Sequence, residues 1–465
     1  MLSVEDKNFY NVVIRPLSVV DAQISWKWRN DFDLWKHIDN PIEKECSQAT
    51  EEAFILKQIS NPQSYHFAIM VNQHLVGWIS LSKKQDNEPP EIDILIGDRG
   101  FWNKGIGSQA ISQLLYFAKN QLNLSSVSAS VNEENIGAFK MFQKLGFQSS
   151  QNGKFDLPLN LLPPPVLSVI VLVYNHSSFL EHTLMSMLVQ KTNFPFEIVV
   201  GNDCSTDNSQ EILDRLKENY PGILSVVFHK KNVGPKNNMI SIMQKATGDF
   251  FALCDGDDYW TDPLKLQQQV DFLRNNTSYS HCWHRYEKLD EKTGVLTPDT
   301  NEKYFEKNSS GVVFNFELFS KGWELGIQTL VFRKEAFRLS FAPTYAFFRD
   351  IHLITHLLNA GDGFCLPFFG AVYRVHAGGT YSSLNELRKA QVAYGIYKEL
   401  LADFAENAHI KKQYRYYIND YIKNLIANGQ NNKAFMLSIE QFREGKDYLL
   451  FKHQIKTILK AWIKQ

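Results

Sequence analysis

The sequence of 465 residues contains no apolar run long enough to span a bilayer, and it begins without the apolar segment of a secretory signal. Its five cysteines show no CxxC spacing, which argues against a zinc knuckle or a disulfide framework and favours reduced thiols. Lys and Arg number 49 against 50 Asp and Glu, so no bulk affinity for nucleic acid is indicated. We therefore expect a cytoplasmic protein with no nucleic-acid partner.

The length is too great for one ordinary hydrophobic core, so more than one domain is expected. A stretch rich in Pro and Leu, which ends in three consecutive prolines, Pro163 to Pro165, predicts an extended linker. We predict a first domain at residues 1–155, a linker at 156–166, a second domain at 167–390 and a C-terminal helical region at 391–465.

The apolar run from Phe250 to Cys254 predicts a buried strand, and it ends abruptly in the carboxylates Asp255, Asp257 and Asp258. Unpaired buried charge is too costly for these residues to belong to the core. One interpretation is a hard-cation site, in which carboxylates hold Mg²⁺ or Mn²⁺ against a diphosphate. The other is a solvated acidic turn that caps the next helix, and the residues alone leave both open.

Predicted strands and helices alternate from Leu167 to Cys254, at the spacing of a parallel, doubly wound sheet. Ligands of such sheets lie outside the carboxyl ends of the strands. The polar residues predicted at those ends are Tyr174, Asn175, Asp203, Asp255, Gly256 and Asp257. Capping alone does not easily explain three polar clusters that converge on one edge.

The first 150 residues contain a predicted strand, a Gly-rich turn and a helix in succession. The turn is Asn103-Lys104-Gly105-Ile106-Gly107-Ser108. Its two glycines let backbone N–H groups approach a pyrophosphate, and the amino end of the following helix adds its dipole. A GxG alone more often marks only a tight turn.

Residues 10 to 150 resemble the GNAT acetyltransferases in the order of their strands, in this turn and in the segment from Val131 to Phe147. The resemblance implies an α+β domain whose turn holds the pyrophosphate of acetyl-CoA, with Asn132 and Asn135 beside the cosubstrate. Trp28-Arg29-Asn30 is similar to the branch that acetylates amino sugars or protein amino termini.

This resemblance has two gaps and suggests two bases. Trp102 occupies a position where the family often has Gln or Arg, and Phe142 aligns with its usual tyrosine acid, although phenylalanine cannot donate a proton. Glu91 and Asp93 end a strand beside the expected cleft and are candidate bases for the incoming ammonium. Both could equally be ordinary surface carboxylates.

Residues 167 to about 385 resemble the family 2 glycosyltransferases with the GT-A fold, a Rossmann-like, mostly parallel sheet. The matching segments are Val169–Asn175, Asn202–Ser209, Asn232–Pro235, Leu253–Asp258 and Tyr373–His376. The resemblance implies that Asp203 reads the base of a nucleotide sugar, usually uracil. Asp255 would bind the ribose or a metal-bound water, and Asp257 would ligate the metal. Lys236 could contact phosphate or simply be a solvated lysine at a helix start.

The second half of this region supplies the acceptor side. Asp350 opens an amphipathic helix, where it could be a cap; the resemblance implies that it is the base that deprotonates the acceptor hydroxyl. His376 would complete the metal shell, and its alternative role is that of a hydrogen-bonded surface histidine. The expected reaction is a single displacement that inverts the anomeric carbon.

The expected protein is thus bifunctional, an α/β chain that joins a GNAT α+β domain, a GT-A domain and C-terminal helices. It would use Mn²⁺ or Mg²⁺ and acetyl-CoA, transfer sugar from a nucleotide donor to a glycan or lipid-linked glycan, and N-acetylate an amino sugar. The alternatives are an inactive acetyltransferase module and a protein N-acetyltransferase. The cationic, apolar segment from Phe451 to Lys464 predicts a helix that packs on the domain or contacts a membrane surface through Trp462.

Overall fold

The computed structural model describes residues 9–35, 45–84, 88–149, 153–376, 378, 384–445 and 448–463. The chain divides into two compact units, residues 1–275 and residues 276–465. In the described part of the chain, no helix is both long enough and apolar enough to cross a membrane.

The first unit begins with a seven-stranded sheet in the order β1-β2-β3-β4-β5-β7-β6. Its strands are β1 (Val12–Pro16), β2 (Ser64–Val71), β3 (His74–Ser82), β4 (Glu91–Ile96), β5 (Ser126–Ser130), β6 (Gln148–Ser149) and β7 (Lys154–Pro158). The helices are α1 (Ala22–Arg29), α2 (Phe32–Trp35), α3 (Gln48–Ile59), α4 (Ile106–Asn120) and α5 (Ile136–Lys144). β4 and β5 run parallel, and the other neighbouring strands run antiparallel.

The local sequence explains two of these elements. Asn72 and Gln73 take positive φ angles of 48° and 69°, as a two-residue hairpin turn requires, and they join β2 to β3. Helix α4 buries Ile106, Ala110 and Leu114 against the sheet core, the spacing of an amphipathic helix.

The start of the predicted linker is corrected. Asp156 to Pro158 belong to β7, which pairs with β5, and Phe155 and Leu157 are buried in the sheet core. Alternating apolar residues made this segment a strand, and the nearby prolines hid that pattern. The remaining predicted domain boundaries stay predictions.

The rest of the first unit contains a parallel sheet, as predicted, and its strands follow the order β10-β9-β8-β11. Its elements are β8 (Leu167–Val173), α6 (Ser177–Leu188), β9 (Phe196–Asn202), α7 (Ser209–Asn219), β10 (Leu224–Phe228), α8 (Gly234–Lys245), β11 (Phe250–Asp255), β12 (Tyr259–Trp260) and α9 (Lys265–Asn275). β8 lies between β9 and β11, so the carboxyl ends of these three strands meet at one edge.

The two sheets of the first unit are joined by side-chain hydrogen bonds. The buried side-chain amide of Asn11 donates to the carbonyl oxygens of Leu188 (2.5 Å), the last residue of α6, and Gln190 (3.1 Å), which follows the helix. Gln121 donates to the carbonyl of Pro221 at 2.5 Å. These bonds satisfy carbonyls that a helix end and a loop would otherwise leave unpaired. The two sheets are therefore parts of one packed body.

The second unit contains a mixed sheet in which β13 pairs with β17 in parallel and with β14 and β16 antiparallel, while β15 pairs with β17. Its strands are β13 (His281–Asp290), β14 (Val295–Pro298), β15 (Val312–Phe314), β16 (Val331–Arg333) and β17 (Gly363–Val375). Its helices are α10 (Phe316–Ser320), α11 (Asp350–Ala360), α12 (Glu386–Asp403), α13 (Ala408–Ala427), α14 (Asn431–Gly445) and α15 (Tyr448–Ile463).

Residues 326–333 form a short 3-10 turn at Ile327–Thr329 followed by β16. Helices α13 to α15 lie within the predicted C-terminal helical region. The predicted helix end at Lys464 lies outside the described residues. The α/β class with C-terminal helices is confirmed.

Candidate functional site

The three carboxylates of the acidic turn after β11 differ in burial. Asp255 and Asp257 are partly exposed, whereas Asp258 is fully buried. Gly256 between them is required by a close approach, because a Cβ there would lie 2.7 Å from His176 Nδ1 and 3.0 Å from the Leu172 carbonyl oxygen. The accessible pair is thus Asp255 and Asp257, as a D-x-D pattern needs.

A histidine that the sequence did not single out lies beside this turn. His176 Nε2 is 3.6 Å from Asp257 Oδ2, and both side chains keep about a fifth of their surface, 20% and 19%. His176 precedes α6, directly after the end of β8. Its contact with Asp257 joins residues far apart in sequence, so no local spacing could reveal it.

The loop after β9 is fixed to the end of β8 by side-chain hydrogen bonds. Asn175, which has a positive φ of 59°, accepts from the Thr206 N–H at 2.7 Å. Asp207 accepts from the Ser177 N–H at 2.9 Å and the Ser209 N–H at 3.0 Å. Partial burial alone would raise the pKa of Asp207, but hydrogen bonds from the two serines hold it at about 2. Asp207 is therefore ionised at the start of α6.

Asp203 is 2% exposed, and both of its carboxylate oxygens accept hydrogen bonds from backbone N–H groups. Its oxygens accept from the N–H groups of Val233 (2.6 Å) and Gly234 (2.9 Å), at the start of α8. The residue predicted to read the base therefore also holds the loop from Asn232 to Gly234. Of the other predicted contacts at this edge, Tyr174 is 45% exposed and Lys236 is half-buried.

The residues of this edge fit a divalent cation bound together with its substrate. Among the described residues, no three His, Cys, Asp or Glu side chains are grouped closely enough to form a metal cage. Mg²⁺ is usually held by one or two carboxylates together with substrate phosphates and waters. The accessible pair Asp255 and Asp257 supplies such an incomplete ligand set.

The Gly-rich turn presents backbone rather than side chains. Asn103 and Gly105 have positive φ angles of 57° and 77°, and α4 begins at Ile106. The first N–H groups of a helix lack intrahelical acceptors, and here they follow exposed residues. A Cβ on Gly105 would meet no atom within 4 Å, so open space lies next to this backbone. The turn fits the pyrophosphate of acetyl-CoA.

The two predicted asparagines have local structural roles. The Asn135 side chain accepts from the Ala138 N–H at 3.1 Å and caps α5. Asn132 accepts from the Glu134 N–H at 2.9 Å. Each amide keeps its N–H₂ group available to a ligand.

The two candidate bases lie at the start of β4, with Glu91 as its first residue, and do not end the strand as predicted. They also differ in their surroundings. Lys84 Nζ is 2.8 Å from Glu91 but 3.9 Å from Asp93. Burial raises the pKa of Asp93, the Lys84 ammonium partly offsets this, and the nearby Glu91 raises it again. A base with a raised pKa accepts a proton more readily near neutral pH. The raised pKa of Asp93 and its longer distance from Lys84 therefore favour Asp93 over Glu91 as the candidate base.

Phe142 belongs to the core. It is 3% exposed, stacks on Phe155 with ring centroids 5.8 Å apart and meets Phe147 edge-on at 5.0 Å. A hydroxyl at this position would be surrounded by rings. Phe142 is therefore a core residue at the position where the resembled family usually has a proton donor.

Asp350 is the first residue of α11, as predicted. It keeps an exposed surface, yet the protein packed around its carboxyl group raises its pKa, an effect that the neighbouring Arg349 partly offsets. The segment before it is fixed by α12, because Glu399 accepts from the N–H groups of Ala346 (2.7 Å) and Phe347 (3.1 Å). An accessible carboxylate with a raised pKa has the properties of a general base.

Three histidines of the second unit, His281, His352 and His376, differ in burial. His376 follows β17 and is half-buried, and its Nδ1 accepts from the Gly378 N–H at 3.3 Å. His281 and His352 are fully buried, and burial lowers the pKa of each to about 3. These two are neutral structural residues, and His376 is the accessible one of the three.

Two family matches cover most of the chain. Residues 168–338 match the family described as Glycosyl transferase family 2. Residues 11–148 match the family described as Acetyltransferase (GNAT) domain.

Relatives and solved structures resemble parts of the chain. An uncharacterized protein of Mycobacterium tuberculosis is 28% identical over 219 residues, which is 47% of this chain and 61% of that protein. An uncharacterized glycosyltransferase of Nostoc sp. is 34% identical over 171 residues, which is 33% of this chain and 52% of that protein. The chain thus spans less than two thirds of either relative. The crystal structure of TarS from S. aureus in complex with UDP-GlcNAc is 19% identical and covers 64% of this chain and 89% of that one, with a TM-score of 0.44.

Proposed function

We propose that this chain, which matches the GNAT acetyltransferase and family 2 glycosyltransferase families, transfers a sugar from a uridine-diphosphate donor to a surface-glycan acceptor. The observation that carries this proposal is the meeting of Asn175, Asp203 and Asp255 at the ends of three neighbouring parallel strands. Ligands of doubly wound sheets bind at that edge.

In this proposal Asp203 and the loop it holds receive the base, and Asp255 lies toward the ribose. Asp257 would hold Mn²⁺ or Mg²⁺, with Asp255 in direct contact or through a water, and His376 stays the further ligand predicted from the sequence. The cation supplies charge neutralisation for the departing diphosphate. Asp350 removes the proton from the acceptor hydroxyl, whose oxygen attacks the anomeric carbon and inverts it.

A thermal-shift panel of nucleoside diphosphates tests the donor site, first with Mn²⁺ and then with EDTA. A ligand that binds only the folded protein raises the unfolding midpoint by mass action. We expect a shift with UDP that disappears in EDTA. A shift with a different nucleotide would mean that the donor carries that nucleotide and not UDP. No shift with any of them would reject the donor site.

For the first domain we propose acetyl-CoA-dependent N-acetylation of an amino sugar. The turn from Asn103 to Ser108 would hold the pyrophosphate, and Asp93 would take the ammonium proton, with Glu91 paired to Lys84 beside it. Acetylation of free amino sugars, followed by mass spectrometry, tests this proposal.

The buried Phe142 favours one alternative, an acetyltransferase-like module that binds acetyl-CoA without turnover. Stoichiometric acetyl-CoA binding with no acetylation of sugar or peptide amines would support that alternative. Acetylation of peptide amines alone would instead indicate a protein N-acetyltransferase.

A peripheral membrane contact through α15 is also proposed, for a lipid-linked acceptor. The exposed face of α15 carries Lys452, Lys456 and Lys460, with Leu449 at 78% exposure. Trp462, expected at the membrane interface, instead packs against Phe435 of α14 at 5.8 Å. Co-flotation with anionic but not neutral vesicles tests the contact, and failure with both would reject it.

A further inference from the structure

We propose that His176 is a ligand of the divalent cation bound at Asp257, through its Nε2 atom. This inference rests on the proposed donor site. His176 follows β8, and Asp257 follows the adjacent parallel strand β11, so both side chains lie at the same edge of the sheet. Their nearest atoms, Nε2 and Oδ2, are 3.6 Å apart.

The imidazole is oriented by its surroundings. The His176 backbone N–H donates to Ser209 Oγ at 3.2 Å. The ring lies directly over Gly256, since a Cβ on that glycine would be only 2.7 Å from Nδ1. The opposite nitrogen, Nε2, is therefore the one near Asp257. The glycine within the D-G-D sequence is needed to make room for this ring.

The 3.6 Å separation suits two ligands of one ion better than a direct hydrogen bond. Good N–H···O bonds have donor–acceptor distances of about 2.7–3.2 Å. Ligands at roughly 2.1 Å in octahedral geometry are about 3 Å apart when adjacent, so a small side-chain movement would bring Nε2 and Oδ2 onto a common cation. Imidazole is a common neutral metal ligand, and a mixed nitrogen and oxygen set favours Mn²⁺ over Mg²⁺.

A direct contact between His176 and the donor diphosphate is less favourable. The Asp257 carboxylate lies next to Nε2 and would repel a phosphate oxygen there. The positive end of α6 is already occupied, because the ionised Asp207 accepts from the Ser177 N–H. A cation between His176 and Asp257 removes the repulsion and leaves its remaining positions to phosphate oxygens.

The test uses the full chain with Mn²⁺ and UDP and measures electron paramagnetic resonance. Bound Mn²⁺ should show electron spin-echo modulation from a histidine nitrogen. In His176→Ala this modulation should be lost, and Mn²⁺ affinity should fall on the order of 10-fold. The preference for Mn²⁺ over Mg²⁺ should narrow as well. His182→Ala is the matched control, because His182 lies within α6, the helix that His176 precedes, and its ring packs against Tyr259 with centroids 4.4 Å apart.

Acetyl-CoA binding and the unfolding midpoint show whether each variant is folded. If His176→Ala were unfolded, His176→Gln, which keeps a polar side chain without an imidazole, would be compared instead. Wild type that binds no Mn²⁺ with UDP would reject the donor site itself. Wild type that binds Mn²⁺ without nitrogen modulation, or a folded His176 variant that retains it, would overturn the inference while leaving the donor site standing. Loss of the modulation in His376→Ala, with the modulation retained in His176→Ala, would likewise overturn the inference and leave the donor site standing.

Discussion

The acetyl-CoA turn and the donor edge are both proposed to bind a diphosphate, but they are built by opposite means. The donor edge consists of carboxylates, and backbone N–H groups hold Asp203 and Asp207 in place. The acetyl-CoA turn offers backbone N–H groups and keeps side chains away from Gly105. In the proposed function a cation therefore mediates between carboxylates and phosphate at the donor edge, whereas the acetyl-CoA turn binds phosphate directly. Truncating a carboxylate side chain should weaken ligand binding at the donor edge, and adding a side chain should weaken ligand binding at the acetyl-CoA turn.

The largest effect is expected from Asp93→Asn in the acetyltransferase. General-base catalysis contributes about 10²–10⁴-fold, so the acetylation rate should fall by that order, with acetyl-CoA affinity retained. In the wild type the rate should rise with pH as the raised pKa of Asp93 is passed, because only the ionised carboxylate accepts a proton. This limb of the pH–rate profile should disappear in the variant. Glu91→Gln is the control, and an equal loss there would remove the distinction between the two carboxylates.

At the donor edge, Asp257→Ala should weaken Mn²⁺-dependent UDP binding on the order of 100-fold, since it removes a proposed ligand. Acetyl-CoA binding should be unchanged, because the Gly-rich turn does not depend on a cation. Calorimetric titration of both ligands measures the two effects. Equal loss of both affinities would indicate unfolding rather than a lost ligand.

At the acetyl-CoA turn, Gly105→Ala should lower acetyl-CoA affinity about 10-fold, because a methyl group would enter the open space beside the turn. Part of any effect comes from the left-handed backbone at φ 77°. Gly294→Ala is matched for this strain, since Gly294 has φ 71° and likewise no atom within 4 Å of a Cβ. Retained affinity in Gly105→Ala would reject the phosphate role of the turn.

The smallest effect is expected from Asn11→Ala. The Asn11 side chain joins the two sheets and belongs to neither proposed site. The carbonyls of Leu188 and Gln190 would lose a donor, at a cost of about 2 kcal/mol. The unfolding midpoint should fall by about 5 °C. Because the sheets form one unit, UDP and acetyl-CoA should stabilise the same transition. Asn61→Ala, in an exposed turn, is the control, and two separate transitions would contradict the single unit.

The sequence predicted most elements of both sheets, because apolar runs and alternation report burial directly. Asp255, Asp257 and Asp350 were placed at a strand end and a helix start, where the structure has them. The roles of these residues remain predictions. What the sequence could not show were contacts between distant segments, such as His176 with Asp257 or Asn11 with the end of α6. A lone His or Asn has no periodicity, so only the packed fold reveals its partner.

The hydrogen bonds of Asn11 and Gln121 have a consequence for proteolysis. Pro163 and Pro164 are exposed between the buried Leu162 and Pro165, so a protease could reach this segment between the two sheets. A nick there would not release an independent acetyltransferase, because the severed pieces would stay associated and co-elute under native conditions. Only a denaturant would separate them, so the two proposed activities would be retained or lost together.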